Sequence, residues 1–299
     1  MAKNLTKAAQ EAPEKVKAPR SSMFLDILKG TVRSPAAKLG AILLVIMILS
    51  AVLAPLIAPY GPNEMDLLAA KQPPSAAHWM GTDAIGRDLF SRLLYGGQYS
   101  LALGFAASIF STVVSIILGC LAGYFGGWTE TIIMRAMDVL SALPSILLCI
   151  IVSVALGDGF VNTVLALSIG QIPASVRMMR AQILSERGAE YLEACETINC
   201  SKLSIMFKHL LPNTISPMIV CLTMGIGDNI TMAASLSYIG LGVQPPTPEW
   251  GALLSDARGY MMSYPYMIIF PGLFIAVTVL AANLVGDGLR DALDPKLRK

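Results

Sequence analysis

The side chains best suited to nucleophilic catalysis or metal binding are few and scattered in this 299-residue chain, which contains five Cys and two His. His78 and His209 fall in segments that the hydrophobic spans described below place on opposite faces of a membrane, so they cannot share a metal ion. The cysteines are too few for a disulfide framework and lack zinc-binding spacing. The sequence therefore shows no cluster of nucleophile, base and metal ligands that would predict an enzyme.

A glycine-rich pentapeptide, Leu94-Tyr95-Gly96-Gly97-Gln98, is the other segment that could suggest chemistry, here nucleotide binding. The chain has no Gly-x4-Gly-Lys-Ser/Thr sequence, whose backbone would cradle phosphates. The pentapeptide is better explained as the glycine-rich entry to a helix. We expect the chain itself to bind no cofactor.

The composition predicts a membrane protein. Hydrophobic residues make up 55% of the chain and charged residues only 14%, with a net charge of +2. Soluble domains carry about 25% charged residues, so this chain lacks the polar surface of a soluble enzyme. The small net charge also disfavours nucleic-acid binding, which needs a strongly basic face.

Six hydrophobic stretches are each close to the ~20 residues that a helix needs to cross a bilayer. The predicted spans are Leu39–Ala58, Tyr99–Phe125, Ile132–Leu156, Gly159–Val176, Ile215–Leu241 and Tyr264–Gly286. Most of the 22 Lys and Arg residues fall in the N-terminal tail, the loop after the fourth span and the C-terminus. Because cytoplasmic loops are enriched in Lys and Arg, we predict an all-α protein with both termini in the cytoplasm.

The first 35 residues are predicted to form a polar cytoplasmic tail, followed by one six-span domain over 36–299. Phe24, Leu25, Ile27 and Leu28 form a short apolar stripe beside Lys29. This stripe fits a helix lying in the membrane interface or a simple polar anchor.

The cytoplasmic loop 177–212 is too long for a simple connection. Apolar residues at helical spacing predict one helix around Tyr191, Ala194, Cys195 and Ile198. Asn199 suits a left-handed cap that ends this helix, and Ser201 can cap a second one. We expect the second helix to present Leu203, Phe207, Leu210 and Leu211 and to end at Pro212. Since this pair has no core of its own, it needs a partner, either a soluble protein groove or the lipid headgroups, and the acidic first helix favours the protein.

This loop resembles the coupling motif of ABC importer permeases, which reads Glu-Ala-Ala, then Gly, then Leu-Pro. The corresponding residues are Glu193, Ala194, Cys195, Asn199, Leu211 and Pro212. Cys and Asn depart from the motif, but Cys packs like a small apolar residue and Asn tolerates the left-handed conformation. The resemblance implies that these residues transmit motion from an ATPase subunit.

Three further blocks narrow the resemblance. They are Gly81-Thr-Asp83 with Gly86-Arg87-Asp88, the stretch 241–251, and 286–296 near the C-terminus. Together they are similar to the C-type membrane subunit of dipeptide, oligopeptide and nickel importers. This implies a type I permease in a bacterial inner membrane, with a second permease of similar fold, two cytoplasmic ATPases holding ATP and Mg, and an extracytoplasmic binding protein.

The resemblance makes di- or oligopeptides the first expected cargo, with nickel complexes or glutathione-like peptides as alternatives. The chain would form half of the translocation path. A secondary transporter that uses Asp228 as a proton or cation site is a different possibility. It is disfavoured because we see no internal repeat and no other acid deep in a span.

The first outer loop, 59–98, is predicted to be ordered around Gly81, Asp83, Gly86, Arg87 and Asp88, with Arg87 paired to an acid. It could be a scaffold near the binding-protein dock or a self-contained stabilising turn. The third outer loop, 241–263, shares with it a Pro-Pro sequence followed by a Trp. These Trp residues, 79 and 250, could dock the binding protein or anchor at the interface.

Asp228 and Asn229 lie near the middle of the fifth predicted span, where an ionised side chain is costly to expose to lipid. We interpret them as possible path-lining residues. Met232 lies one turn later and shares a helix face with Asp228. The alternative is a buried Asp that caps a kink near Gly225 and Gly227.

Overall fold

The computed structural model describes residues 34–293, and the predicted interfacial helix and the last residues of the C-terminal block lie outside this range. The described part of the chain is all-helical. The helices are α1 (Pro35–Val52), α2 (Ala54–Ile57), α3 (Leu89–Phe125), α4 (Gly127–Ser141), α5 (Ser145–Leu156), α6 (Phe160–Glu186), α7 (Glu190–Thr197), α8 (Lys202–Ser204), α9 (Leu211–Thr214), α10 (Ser216–Tyr238), α11 (Trp250–Ala257) and α12 (Tyr266–Leu293).

Four helices within residues 34–293 are long and apolar enough to cross a membrane: α1, α3, α10 and α12. The pair α4–α5 passes the same test only when the two helices are taken together, as a broken span or a re-entrant loop. The fourth predicted span lies in α6, which has 27 residues but is not in this group. Its polar residues, among them Gln171 and Arg177, make it less apolar than the four helices of this group.

The third predicted span is not a straight helix, which corrects the sequence prediction. The axes of α4 and α5 differ by 92°. The break lies at Ala142–Pro144, where Pro144 is the N-cap of α5. A proline disfavours helical backbone at the preceding residue, so Leu143 cannot continue α4 smoothly.

Two helices extend beyond their predicted spans. Helix α3 begins at Leu89, because the Asp88 carboxylate accepts the Ser91 backbone N–H at 2.7 Å and caps it. Residues 89–98 therefore belong to this helix and not to the outer loop. Helix α6 continues to Glu186, and its last turns are held to α4 by Arg180, whose Nε donates to Glu130 Oε1 at 2.8 Å.

Small residues let α3 and α6 approach closely. A Cβ atom added at Gly119 would lie 2.5 Å from the Met179 Cβ, and one at Gly123 would lie 2.7 Å from the Ile183 Cβ. Close backbone approach at small residues is a usual source of helix association in membranes. This contact fixes the end of α6, from which the loop resembling the coupling motif emerges.

Candidate functional site

The segment 187–214 forms the predicted helix, sharp turn and helix. Asn199 has φ 59°, the left-handed conformation expected from its type. The Cys200 backbone N–H donates to the Cys195 carbonyl at 3.0 Å, which closes the end of α7. Ser201 caps α8 by accepting the Ser204 backbone N–H at 3.3 Å. Asn199, which ends the first helix, and Ser201, which begins the second, were therefore sufficient to predict the turn between them.

The buried face of this segment differs from the predicted stripe. Leu192, Ile205, Met206 and Leu210 are buried, together with Met179 and Ile183 of α6 and Met218 of α10. The segment is thus packed onto the ends of two long helices. A displacement of the segment would be transmitted directly to them, because packed interiors have low compressibility.

Most of the apolar side chains that were predicted to bind a partner lie on the outer side of the segment. Ile198 is 73% exposed and Leu203 is 59% exposed. Tyr191, Ala194 and Phe207 are also exposed, and Cys195 and Leu211 are half-buried. We call Tyr191, Ala194, Ile198, Leu203 and Phe207 the outward face. An apolar face of this kind marks an interaction surface.

Pro212 does not end the second helix, in contrast to the prediction. A π-helical stretch, Ile205–Leu210, leads into α9, and Pro212 lies in the first turn of α9. The Leu211 backbone N–H donates to the Met206 carbonyl. The proline therefore follows this wider turn and lies in the first turn of α9. Proline is tolerated at such a position, because the N–H that it lacks would have no helical partner there. Glu193 and Pro212 are both exposed.

The outer segment 59–88 is held in shape by charged side chains that pair with each other and by glycines at positions where no side chain fits. Asp83 accepts backbone N–H groups from Ile85 and Arg87 at 3.0 and 2.9 Å, and Arg87 Nε donates to its Oδ2 at 2.5 Å. This confirms the predicted pairing of Arg87. Gly81 and Gly86 have φ 79° and 82°, and a Cβ at Gly86 would lie 1.7 Å from the Asp66 carbonyl oxygen. No other residue fits at Gly86.

The same network reaches α11, which the sequence analysis missed. Asp256 Oδ2 lies 3.5 Å from Arg87 and 3.8 Å from Arg92. Burial raises the pKa of Asp256, and the two guanidinium groups oppose this rise. Arg92 is only 1% exposed and also faces Asp83 at 3.5 Å. Two carboxylates thus balance two guanidinium groups, and the first and third outer loops form one unit.

Asp88 joins the unit through His78, whose Nδ1 lies 2.9 Å from Asp88 Oδ1. The two predicted docking tryptophans differ. Trp79 is 62% exposed, whereas Trp250 is 1% exposed and donates from Nε1 to the Leu93 carbonyl at 2.9 Å. The interpretation of Trp250 as a docking or interfacial residue is therefore wrong, and it is a core residue.

Asp228 and Asn229 line a cavity of about 370 Å³ between α5, α6 and α10. Its polar lining consists of Ser145, Gln171, Asp228, Asn229, Thr231 and Ser235. Asn229 is buried and donates to Ser108 Oγ at 2.9 Å and to Gln171 Oε1 at 3.3 Å. Met232 lines the same cavity, which confirms that it shares a face with Asp228.

The alternative in which Asp228 is buried and caps a kink is wrong. Helix α10 runs without a break from Ser216 to Tyr238, and Asp228 is exposed on it. Within residues 34–293 the Asp228 carboxylate makes no hydrogen bond or ion pair. It is therefore free to contact another subunit or a solute.

Two protein families match the sequence. Residues 115–299 match the family described as "Binding-protein-dependent transport system inner membrane component". Residues 22–74 match the "N-terminal TM domain of oligopeptide transport permease C". These matches agree with the resemblance drawn from the coupling motif and the outer loops.

Relatives of similar length support the assignment. The chain is 45% identical to the glutathione transport system permease protein GsiD of Pectobacterium atrosepticum, over 89% of each chain. It is 41% identical to the probable D,D-dipeptide transport system permease protein DdpC of Escherichia coli, over 95% of this chain and 94% of the relative. A solved structure of the MetNI methionine ABC transporter in an inward-facing conformation shares the fold, with TM-score 0.54 and 18% identity over 68% of this chain and 97% of the other.

These relatives are non-catalytic permease subunits, which removes the alternative of a secondary transporter. The family description and the apolar helices together identify the chain as a multi-pass inner membrane protein. The chain therefore belongs to the binding-protein-dependent transport system inner membrane components, the permease subunits of ABC importers.

Proposed function

We propose that this chain is the permease subunit of an importer for short peptides, with dipeptides and glutathione as equally supported cargoes. The observation that carries the cargo class is the identity of 41–45% to relatives named for D,D-dipeptide and glutathione transport. Neither name mentions nickel.

Uptake by the purified importer in lipid vesicles tests the cargo class. A radiolabelled dipeptide should accumulate in an ATP-dependent manner when the cognate binding protein is present, and unlabelled glutathione should compete if it shares the path. Uptake of neither dipeptide nor glutathione would contradict the proposal.

The proposed topology has six spans, with α4–α5 as one broken span and α6 as another, and with both termini in the cytoplasm. The Lys and Arg residues support this orientation, because those of segment 187–214 and of the C-terminus then lie on one side. The outer unit of Asp83, Arg87, Arg92 and Asp256 lies on the opposite side. In a variant that lacks the five native cysteines, and without the ATPase subunits, single cysteines introduced at exposed Leu68 and Leu203 should react with impermeant reagents from opposite faces.

The outward face of segment 187–214 is proposed to dock into a cytoplasmic ATPase subunit. Exposed apolar residues on a short helix pair, with acidic Glu190 and Glu193 beside them, suit a protein groove better than anionic lipid. The buried side of the same segment packs against α6 and α10. Closure of an ATPase dimer would then move these helices. A second permease, two ATPases and a binding protein complete the proposed complex, and ATP and Mg would be bound by the ATPases.

Glu193→Lys and Asn199→Val test this coupling. Lysine reverses a charge on the docking helix, and valine resists the left-handed backbone of Asn199, at a cost of about 1–2 kcal/mol. We expect both variants to insert and to lose most ATP-driven uptake. Asn199→Gly is the matched control, since glycine adopts the left-handed conformation freely. Wild-type uptake by assembled Glu193→Lys and Asn199→Val variants would show that docking occurs elsewhere.

The outer unit is proposed to support the docking surface of the binding protein. Trp79 is its exposed aromatic residue, and tryptophan is enriched among residues that dominate binding. Trp79→Ala should weaken binding-protein-stimulated ATP hydrolysis without reducing the amount of assembled complex. Unchanged stimulation would leave the self-contained turn as the better explanation of this unit.

A further inference from the structure

Two cysteines occupy the two ends of the turn that closes α7. The Cys200 backbone N–H donates to the Cys195 carbonyl at 3.0 Å, and Asn199 between them is left-handed. This six-to-one hydrogen bond around a left-handed residue is the Schellman motif, which is frequently accompanied by a contact between the side chains at its two ends. Both cysteines are half-buried and pack on one cluster that includes Leu192 and Ile205. The backbone motif therefore brings two thiols together.

We infer that Cys195 and Cys200 form a dithiol site that low-molecular-weight disulfides oxidise to an intramolecular disulfide. One thiolate attacks a sulfur of the small disulfide, whose S–S bond breaks and releases one small thiol after protonation. The second cysteine's thiolate attacks the protein sulfur of the mixed disulfide and releases the other small thiol. Two protein thiols are oxidised, and the small disulfide is reduced to two thiols.

The remaining cysteines do not offer this arrangement. Cys120 and Cys149 are fully buried in helices of the bundle, and Cys221 lies against the thioether of Met178 at 3.4 Å. Reactive thiols need solvent access as well as a nearby partner. Among the described cysteines, Cys195 and Cys200 have both.

The site is expected to be reduced at rest. Desolvation, followed by the neighbouring Cys200 thiol, raises the pKa of Cys195, so its thiolate is scarce at neutral pH. Cytosolic thiols are also kept reduced, and disulfides there are transient. Oxidation should therefore accelerate as the pH rises from 7 to 9.

Mass spectrometry of the purified importer complex tests the inference directly. Trypsin cleaves after Arg187 and Lys202, so both cysteines lie on the peptide 188–202, and the other three lie on other peptides. After incubation in glutathione redox buffers of increasing oxidised fraction, this peptide should become lighter by two hydrogens. Backbone hydrogen exchange at Cys200 should slow in the oxidised complex. This test does not depend on the proposed transport function.

Matched variants test whether disulfide formation depends on the left-handed turn at Asn199 or only on having two cysteines close together in the chain. Asn199→Gly should retain the disulfide, whereas Asn199→Val should lower its equilibrium constant roughly tenfold by disfavouring the left-handed turn. Ala194→Cys in a Cys195→Ala background moves the first thiol about 100° around the helix, and should also lower the equilibrium constant roughly tenfold. A peptide that stays reduced or carries only mixed disulfides with glutathione would overturn the inference. Equal oxidation of the Ala194→Cys variant would overturn it as well.

Discussion

Replacement of Asp83 by asparagine removes one of the two carboxylates that face Arg87 and Arg92 and keeps the shape of the side chain. The asparagine Oδ1 can still accept the backbone N–H groups of Ile85 and Arg87, which lie 3.0 and 2.9 Å from Asp83. The change therefore isolates the charge from the hydrogen bonds that shape the turn.

The expected cost follows from burial. Without Asp83, the two guanidinium groups face only Asp256, at 3.5 and 3.8 Å. Arg92 has no access to solvent that could compensate its charge, and breaking a buried ion pair costs about 3–5 kcal/mol. Asp256→Asn is the matched control. Its side chain is 38% exposed and its contacts are longer, so its loss should cost about 1 kcal/mol.

Native-state proteolysis of the purified complex measures the difference, since cleavage of segment 59–88 requires local opening. The Asp83→Asn variant should be cleaved at least ~100-fold faster than the wild type, and Asp256→Asn about fivefold faster. Asp83→Asn with Arg92→Met restores charge balance and should recover part of the resistance. Equal cleavage rates for the two single variants would refute the argument that buried charge orders the outer segment.

Three other perturbations test separate parts of the structure. The double variant Asp228→Ala, Met232→Glu moves the acid one turn along the same cavity, and it should take up more cargo than the single variant Asp228→Ala. Equal uptake by the two variants, at equal amounts of assembled complex, would contradict a path-lining role for the acid. Gly119→Leu should abolish assembled complex on blue native gels, because its Cβ has no space against α6. Trp250→Phe loses the hydrogen bond to the Leu93 carbonyl and should destabilise the outer unit by about 1 kcal/mol in denaturant titrations, whereas Trp79→Phe should have no measurable effect.

Local backbone preferences explain what could be predicted around the turn of segment 187–214. Asn199 and Ser201 are residue types whose own conformational and hydrogen-bonding tendencies end one helix and begin the next. Their neighbours need not be known for this prediction. Pro212 was predicted less well, because a proline ends a helix or starts one depending on the turn before it.

The sequence alone determined the membrane class, the approximate positions of the hydrophobic stretches and the presence of a paired Arg87. Each depends on residues close together in the chain: a run of about 20 apolar residues, or a stretch in which turn-forming and charged residues alternate. The resemblance to importer permeases also rests on short motifs in a fixed order.

Tertiary structure alone decided which groups meet across the bundle. Asp256 faces Arg92, Trp250 is buried against α3 and α12, and α4 turns through 92° into α5. It also decided which side of segment 187–214 is buried, since Leu192, which is not part of the predicted stripe, packs against α6. In a chain that is apolar throughout, hydrophobicity does not distinguish a lipid-facing side from a packed side or a partner-facing one. The shape and polarity of neighbouring helices make that choice, and they come from distant parts of the sequence.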